Sequence, residues 1–226
     1  GGEVLTNAEV LSIEKKGGLF ELTTPDRVIE CEVVVCAAGA WADPVAELAG
    51  VRPIGLTPKR RSAFLIPEPE AISTASGQPC KNWPLVINQV DPLYFKPDAG
   101  ALLISPMDET PSPACDAAPE DLDVAYAIER FHNCTTLEVK RVTHRWAGLR
   151  TFAPDETFVV GFDPDLEGFF WLAGQGGYGV QAAPALSRLS AALIDVALGK
   201  RTKESVSNTV EWEFAEQVAP ARFRSN

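Results

Sequence analysis

The sequence is poor in the side chains that build metal and redox centres. It has two histidines, His132 and His144, and five cysteines, Cys31, Cys36, Cys80, Cys115 and Cys134, with no Cys-x-x-Cys among them. Such a set lacks the ligand spacing of a zinc site, and no metal is expected. An odd number of thiols without paired spacing is expected to stay free, as in a reducing cytoplasm. Long apolar runs are missing as well. The longest, Val33 to Ala42, contains Gly39 and falls far short of the roughly 20 residues that cross a bilayer, so no transmembrane segment is expected. The opening Gly-Gly-Glu-Val-Leu-Thr has neither the basic nor the apolar region of a signal peptide. A basic excess is also absent. The formal net charge is −11, which argues against nucleic acid, because neutralising phosphates needs a basic face. Surplus carboxylates mainly keep a protein in solution.

What is present is an ordinary globular composition. The chain has 226 residues, 46% of them hydrophobic and 23% charged, enough for one large domain or two small ones. It opens without Met on a strand pattern, which reads as a segment of a longer chain. Strands are expected from Val4 to Lys15, over Leu19–Thr24 and over Val33–Cys36, the last continuously apolar as a strand covered on both faces should be. Small residues follow, and a short helix is expected from Trp41 to a stop at Gly50. From Pro53 to Arg145 prolines punctuate short strands (Ser62–Ile66, Leu85–Ile87, Leu93–Lys96, Ala101–Ser105), the pattern of an antiparallel sheet. A helix over Pro119–Cys134 is expected to present Leu122, Ala125, Ile128 and Phe131 on one face. Further strands are expected over Glu138–His144, Phe158–Gly161 and Phe169–Ala173, then a long helix to about Leu198. The fold class is α/β (α+β). Residues 1–53 and 146–226 form one lobe, and 54–145 an antiparallel-sheet lobe inserted between them.

Two features carry chemistry. Four glycines in Gly174-Gln-Gly-Gly-Tyr-Gly179 join a strand to a helix, where unpaired N–H groups and the positive end of the dipole suit an anion. The same pattern also serves a plain tight turn, and it is neither a P-loop nor the usual dinucleotide fingerprint. Arg150 lies among apolar residues after Trp146 and Leu149, so it needs a partner: a substrate carboxylate or an internal carboxylate. Lys59-Arg60-Arg61 reads by default as three exposed charges, and Tyr94 as a half-buried aromatic.

Together these segments resemble a known family. Val-Val-Val-Cys-Ala-Ala-Gly-Ala-Trp (33–41), Trp-Ala-Gly-Leu-Arg (146–150) followed by Pro154-Asp155, and Gly-Gln-Gly-Gly-Tyr-Gly-Val-Gln (174–181) are similar, in that order, to the D-amino acid oxidase superfamily. Pro-Lys-Arg-Arg-Ser-Ala-Phe (58–64), Lys-Pro-Asp-Ala-Gly (96–100) and Glu-Gly-Phe-Phe-Trp (167–171) resemble most closely the bacterial D-arginine dehydrogenases within it. The resemblance implies part of an FAD-binding, Rossmann-like lobe plus a substrate lobe, and oxidation of the C–N bond of D-amino acids. It implies Arg61 and Arg150 on the substrate α-carboxylate with Tyr94 beside it, and Gly177 and Gln181 lining the substrate site. Cofactor contacts are implied for Ala37, Ala38, Gly39, Trp41, Gly174, Gly176, Gly177, Tyr178, Gly179, Val180 and Gln181. The family's Gly-x-Gly-x-x-Gly motif and its acidic ribose ligand belong to an N-terminal segment this chain does not contain. That segment is therefore an expected partner, and the chain alone is expected to bind FAD weakly. A glycine- or sarcosine-type oxidase, or a catalytically silent domain of the same fold, are the alternatives.

Overall fold

A computed structural model describes residues 2–68, 80–206 and 212–224. The chain divides into two compact units, residues 1–57 with 151–226, and residues 58–150, against expected boundaries at 53/54 and 145/146.

The first unit begins with an antiparallel meander of β1 (Ser12–Lys16), β2 (Leu19–Thr23) and β3 (Val28–Cys31). The first strand is shorter than expected: residues before Ser12 form no strand, although Leu11 N–H still donates to Thr23 O at 2.8 Å. Then come β4 (Val34–Cys36), a 3-10 turn over Gly39–Trp41 and a helix over Ala42–Leu48. After the second unit the chain returns with β11 (Val159–Phe162), β12 (Phe169–Ala173) and a helix over Gly179–Ala197.

The order β11-β12-β4 makes a three-stranded sheet in which β4 runs parallel to β12. Phe169, Phe170 and Trp171 are all fully buried because both faces of β12 are covered. Phe169 and Trp171 face a core with Ile13, Phe20, Val34, Cys36, Ala42 and Ala46; Phe170 faces Leu186, Leu189 and Val218 on the other side. The expected double burial therefore belongs to β12 and not to β4. Val34 and Cys36 are buried, but Val35 is 42% exposed. At the sheet's edge, β4 lies where the helical layer over Phe170 does not reach.

In the second unit β5 (Thr57–Pro67), β6 (Val86–Asn88), β7 (Leu93–Asp98), β8 (Ala101–Ser105) and β10 (His144–Phe152) form a sheet in the order β10-β5-β8-β7-β6. A two-residue strand, β9 (Thr110–Pro111), also pairs with β5. The helix Asp121–Cys134 covers one face, packing Val124, Ala127 and Phe131 onto Phe64, Ile66, Phe95, Leu102 and Ile104. Its buried face differs from the expected one, leaving Leu122 exposed. The cause lies in its N-terminal acids: Glu120 and Asp123 turn toward Arg60, Asp123 at 2.9 Å, and carry Leu122 outward. Glu138–Thr143 forms no strand. Leu137, Val139 and Val142 satisfy their alternation by packing on this core, and Thr143 bonds Leu65 O through both its N–H (2.9 Å) and its hydroxyl (3.1 Å).

Candidate functional site

In the first unit, parallel pairing decides the geometry. Val34 lies opposite Phe169 and Cys36 opposite Trp171, so both chains leave the sheet at the same edge. Each then turns through glycine into a helix, an arrangement that opens a binding crevice at the carboxyl ends of parallel strands. On one side follow Ala37, Ala38, Gly39 (φ 56°) and Trp41; on the other, Gly174 (φ 70°), Gly176 (φ 51°), Gly177 and Tyr178. Gly174 and Gly176 are explained by the chain's own packing. A Cβ at Gly176 would lie 2.6 Å from the Phe152 ring, and one at Gly174 would lie 3.3 Å from Val159. The turn is tied down where Gly176 N–H donates to Thr151 O at 2.9 Å.

The helix that follows has no side-chain cap at Tyr178 and no acidic residue in its first turn. Its first bond runs from Ala182 N–H to Tyr178 O, so the N–H groups of Gly179, Val180 and Gln181 lack intrahelical partners. Tyr178 and Val180 in the same turn stand exposed, Val180 at 95%, and Trp41 after β4 is exposed as well. Uncapped donors next to exposed flat and branched apolar side chains suit a cofactor that is both anionic and aromatic.

Supports missed in the sequence hold this edge. Asp43 accepts the N–H groups of Ile54, Gly55 and Leu56 at 2.9, 3.0 and 2.7 Å. Arg222 grips the connection below Gly174, donating to Asp155 (2.7 and 3.2 Å), Thr157 O (3.0 Å) and Phe158 O (2.9 Å). Buried Asp163 accepts from Trp171 Nε1 at 2.9 Å and Arg224 Nη2 at 2.7 Å. Burial opposes ionisation of Asp163, but the Arg224 and Trp171 hydrogen bonds outweigh it and hold its pKa below the usual carboxylate range.

In the second unit, strand alternation sorts the basic run. Phe64 and Ile66 face the helix, so Arg60 shares their side and Arg61 takes the other. Neither is an ordinary exposed charge: their side chains are 11% and 9% accessible. Arg60 meets three carboxylates, those of Asp108, Glu120 and Asp123. Tyr94, between core-facing Leu93 and Phe95, lies on the face that Arg61 takes. Arg61 Nε donates to Asp108 O at 2.8 Å and its Nη2 to Glu109 at 2.7 Å. Burial first, and then the positive charge of nearby Arg150, press the Arg61 pKa down, against the opposing carboxylates of Glu109 and Asp108. Arg150 differs sharply. Among the described residues its guanidinium makes no hydrogen bond or ion pair. Arg61, Tyr94 and Arg150 thus form a cluster within this unit, with Glu109 as a member the sequence reading missed. Gly177 and Gln181 are exposed in the other unit, at the glycine-rich turn.

Residues 1–193 match the family of FAD dependent oxidoreductases, DAO. The chain belongs to that family. The cofactor is accordingly FAD. The FAD-dependent oxidoreductase domain-containing protein 1 of Xenopus laevis is 27% identical, over 74% of this chain and 35% of its own length. Glycine oxidase from Geobacillus kaustophilus superposes with a TM-score of 0.66 at 21% identity, covering 90% of this chain and 51% of that one. L-Proline dehydrogenase from P. horikoshii superposes at 0.68 and 22%, covering 93% and 54%. The chain thus spans about a third of the curated relative and about half of each solved structure. Among the described residues no helix is long and apolar enough to cross a membrane.

Proposed function

We propose that this chain is part of an FAD-dependent enzyme that oxidises the C–N bond of an amino acid, and that D-amino acids are its substrates. The observation that carries the proposal is Arg150, a guanidinium without an anion beside a second guanidinium, Arg61. Two such groups bind a carboxylate by charge-assisted hydrogen bonds, each contributing roughly 1.5–3 kcal/mol. Arg61 and Arg150 hold the substrate α-carboxylate, and Tyr94 donates its hydroxyl to the same group. Fixing the carboxylate orients the substrate Cα, and orientation is most of what the protein supplies. Gly177 and Gln181 line the substrate site. Ala37, Ala38, Gly39, Trp41, Gly174, Gly176, Gly177, Tyr178, Gly179, Val180 and Gln181 hold the cofactor, the free N–H groups of 179–181 facing its negative edge. Bound FAD supplies the acceptor for the two electrons that leave the C–N bond, and water hydrolyses the resulting imino acid to a 2-oxo acid and ammonia.

The D-configuration rests on the likeness of residues 58–64, 96–100 and 167–171 to D-arginine dehydrogenases. A second reading, oxidation of glycine or a secondary amine, is favoured by the structural likeness to proteins described as a glycine oxidase and an L-proline dehydrogenase. The carboxylate clamp serves both. Anaerobic titration of the flavin-loaded full-length protein with D- and L-amino acids, glycine, sarcosine and proline separates them. Bleaching by D-amino acids alone supports the first reading, and bleaching by glycine, sarcosine or proline the second. No bleaching by any amine would remove the substrate assignment. Reoxidation by air then distinguishes an oxidase from a dehydrogenase.

A further inference from the structure

The arginine cluster already holds one carboxylate of its own, Glu109. Its placement is set by the backbone. The pairing of β5 with β9 puts Lys59 opposite Pro111 and Arg60 opposite Thr110, so the next position along brings Glu109 to Arg61. The turn before it is anchored: Asp108 accepts Ser62 N–H at 2.7 Å and the Ser62 hydroxyl at 2.9 Å, taking over where the β5–β8 ladder ends. That anchor also aims Asp108 O at Arg61 Nε. The Arg61 guanidinium is therefore fixed on its Nε side by backbone and met on its Nη2 side by Glu109.

The two members of the Arg61–Glu109 pair are unlike. Arg61's side chain is 9% exposed and Glu109's is 47% exposed. Lys59, two positions before Arg61 on the same face of the strand, also lies 3.8 Å from the Glu109 carboxylate. Arg150, partly buried, adds a second cation. Glu109 thus serves Arg61 and Lys59, while Arg150 has no carboxylate of its own among the described residues.

We propose that Glu109 is the resident counter-ion of Arg61, which the carboxylate of an incoming ligand displaces. The Asp108 carbonyl keeps Arg61 in position during the exchange, and the half-exposed Glu109 carboxylate swings away from Arg61 toward solvent. Glu109 is then an affinity-setting residue: every carboxylate ligand competes with it, and a neutral isostere of that ligand does not. A ligand with a second carboxylate meets the displaced Glu109 as a repelling charge, so the cluster favours monocarboxylates. This rests on the carboxylate-clamp reading above.

The test is an NMR titration of the 226-residue chain with acetate, and with acetamide as the neutral control. Glu109→Gln is expected to tighten acetate binding about tenfold, the effect of freeing one charge-assisted bond, and to leave acetamide unaffected. Glu109→Asp, which keeps the charge but shortens its reach, is expected to fall between wild type and Glu109→Gln. Circular dichroism verifies that both variants fold. Acetate binding that is unchanged or weaker in both variants overturns the displacement, since Glu109 would then be holding Arg61 in place. Arg150→Met in the Glu109→Gln background separates the two ideas. If acetate still binds as tightly without Arg150, the clamp reading fails; if binding is lost, the clamp stands whatever Glu109 does.

Discussion

Arg224 and Arg150 occupy different units of the molecule and live under opposite conditions. Arg224 is paired within the chain: its side chain is almost fully buried, its Nη2 meets buried Asp163, and it donates to the carbonyls of Arg52 and Pro53, although its buried Nε makes no hydrogen bond. Arg150 has no such partners among the described residues, and Arg61 repels it. A buried cation matched by protein acceptors is architecture; a partly buried one left unmatched beside a like charge is where we propose that a ligand supplies the missing anion.

The largest expected effect sharpens the architectural side. Asp163→Ala leaves Arg224 buried without its carboxylate and frees the Trp171 indole, and is expected to cost about 3–5 kcal/mol in urea unfolding. A loss below about 1 kcal/mol would mean that Arg224 is no more structural than Arg150. Next comes Gly176→Ala. Positive φ and a Cβ 2.6 Å from the Phe152 ring are expected to cost about 1–3 kcal/mol and to loosen amide protection over the Gly174–Gln181 segment. Smaller still is an effect of pH. Hydrogen bonding by Arg222 lowers the pKa of Asp155, and Asp163 is lowered as well. The unfolded chain then binds more protons in acid than the folded one. Stability from these carboxylates is complete above the ordinary carboxylate pKa of about 3.9 and is lost as pH falls through the folded values. Asp155→Asn is expected to flatten that acid limb in pH-dependent urea titrations and to leave stability near neutrality less sensitive to Arg222.

Local signals were legible. The strand Phe169–Ala173, the glycine turn and the helix that follows stand almost where the residues indicate, because each is defined by its own pattern. Arg61, Tyr94 and Arg150 were nameable from the sequence, but their grouping depends on a sheet whose strands β5, β7 and β10 are far apart in the chain. Glu109 was not legible, since its meeting with Arg61 depends on a two-residue strand. Nor were Arg222 and Arg224, whose acceptors lie dozens of residues away and leave no trace in local spacing. By default Lys59-Arg60-Arg61 reads as three exposed charges, and composition alone does not separate them. The alternation of an extended strand sends Arg60 to the helix acids and Arg61 to the opposite face. Val33–Cys36 looked doubly buried because composition reports apolarity and not position in the sheet.

The most direct test of the carboxylate clamp is Arg150→Met in the flavin-loaded full-length protein, with unfolding and anaerobic flavin reduction measured on the same preparation. The account predicts a stability change within about 0.5 kcal/mol together with a loss of reduction efficiency of about a hundredfold or more, the worth of roughly two charged hydrogen bonds. Near-normal reduction by the amino acid substrate, or a collapse of stability like that expected for Asp163→Ala, would contradict it.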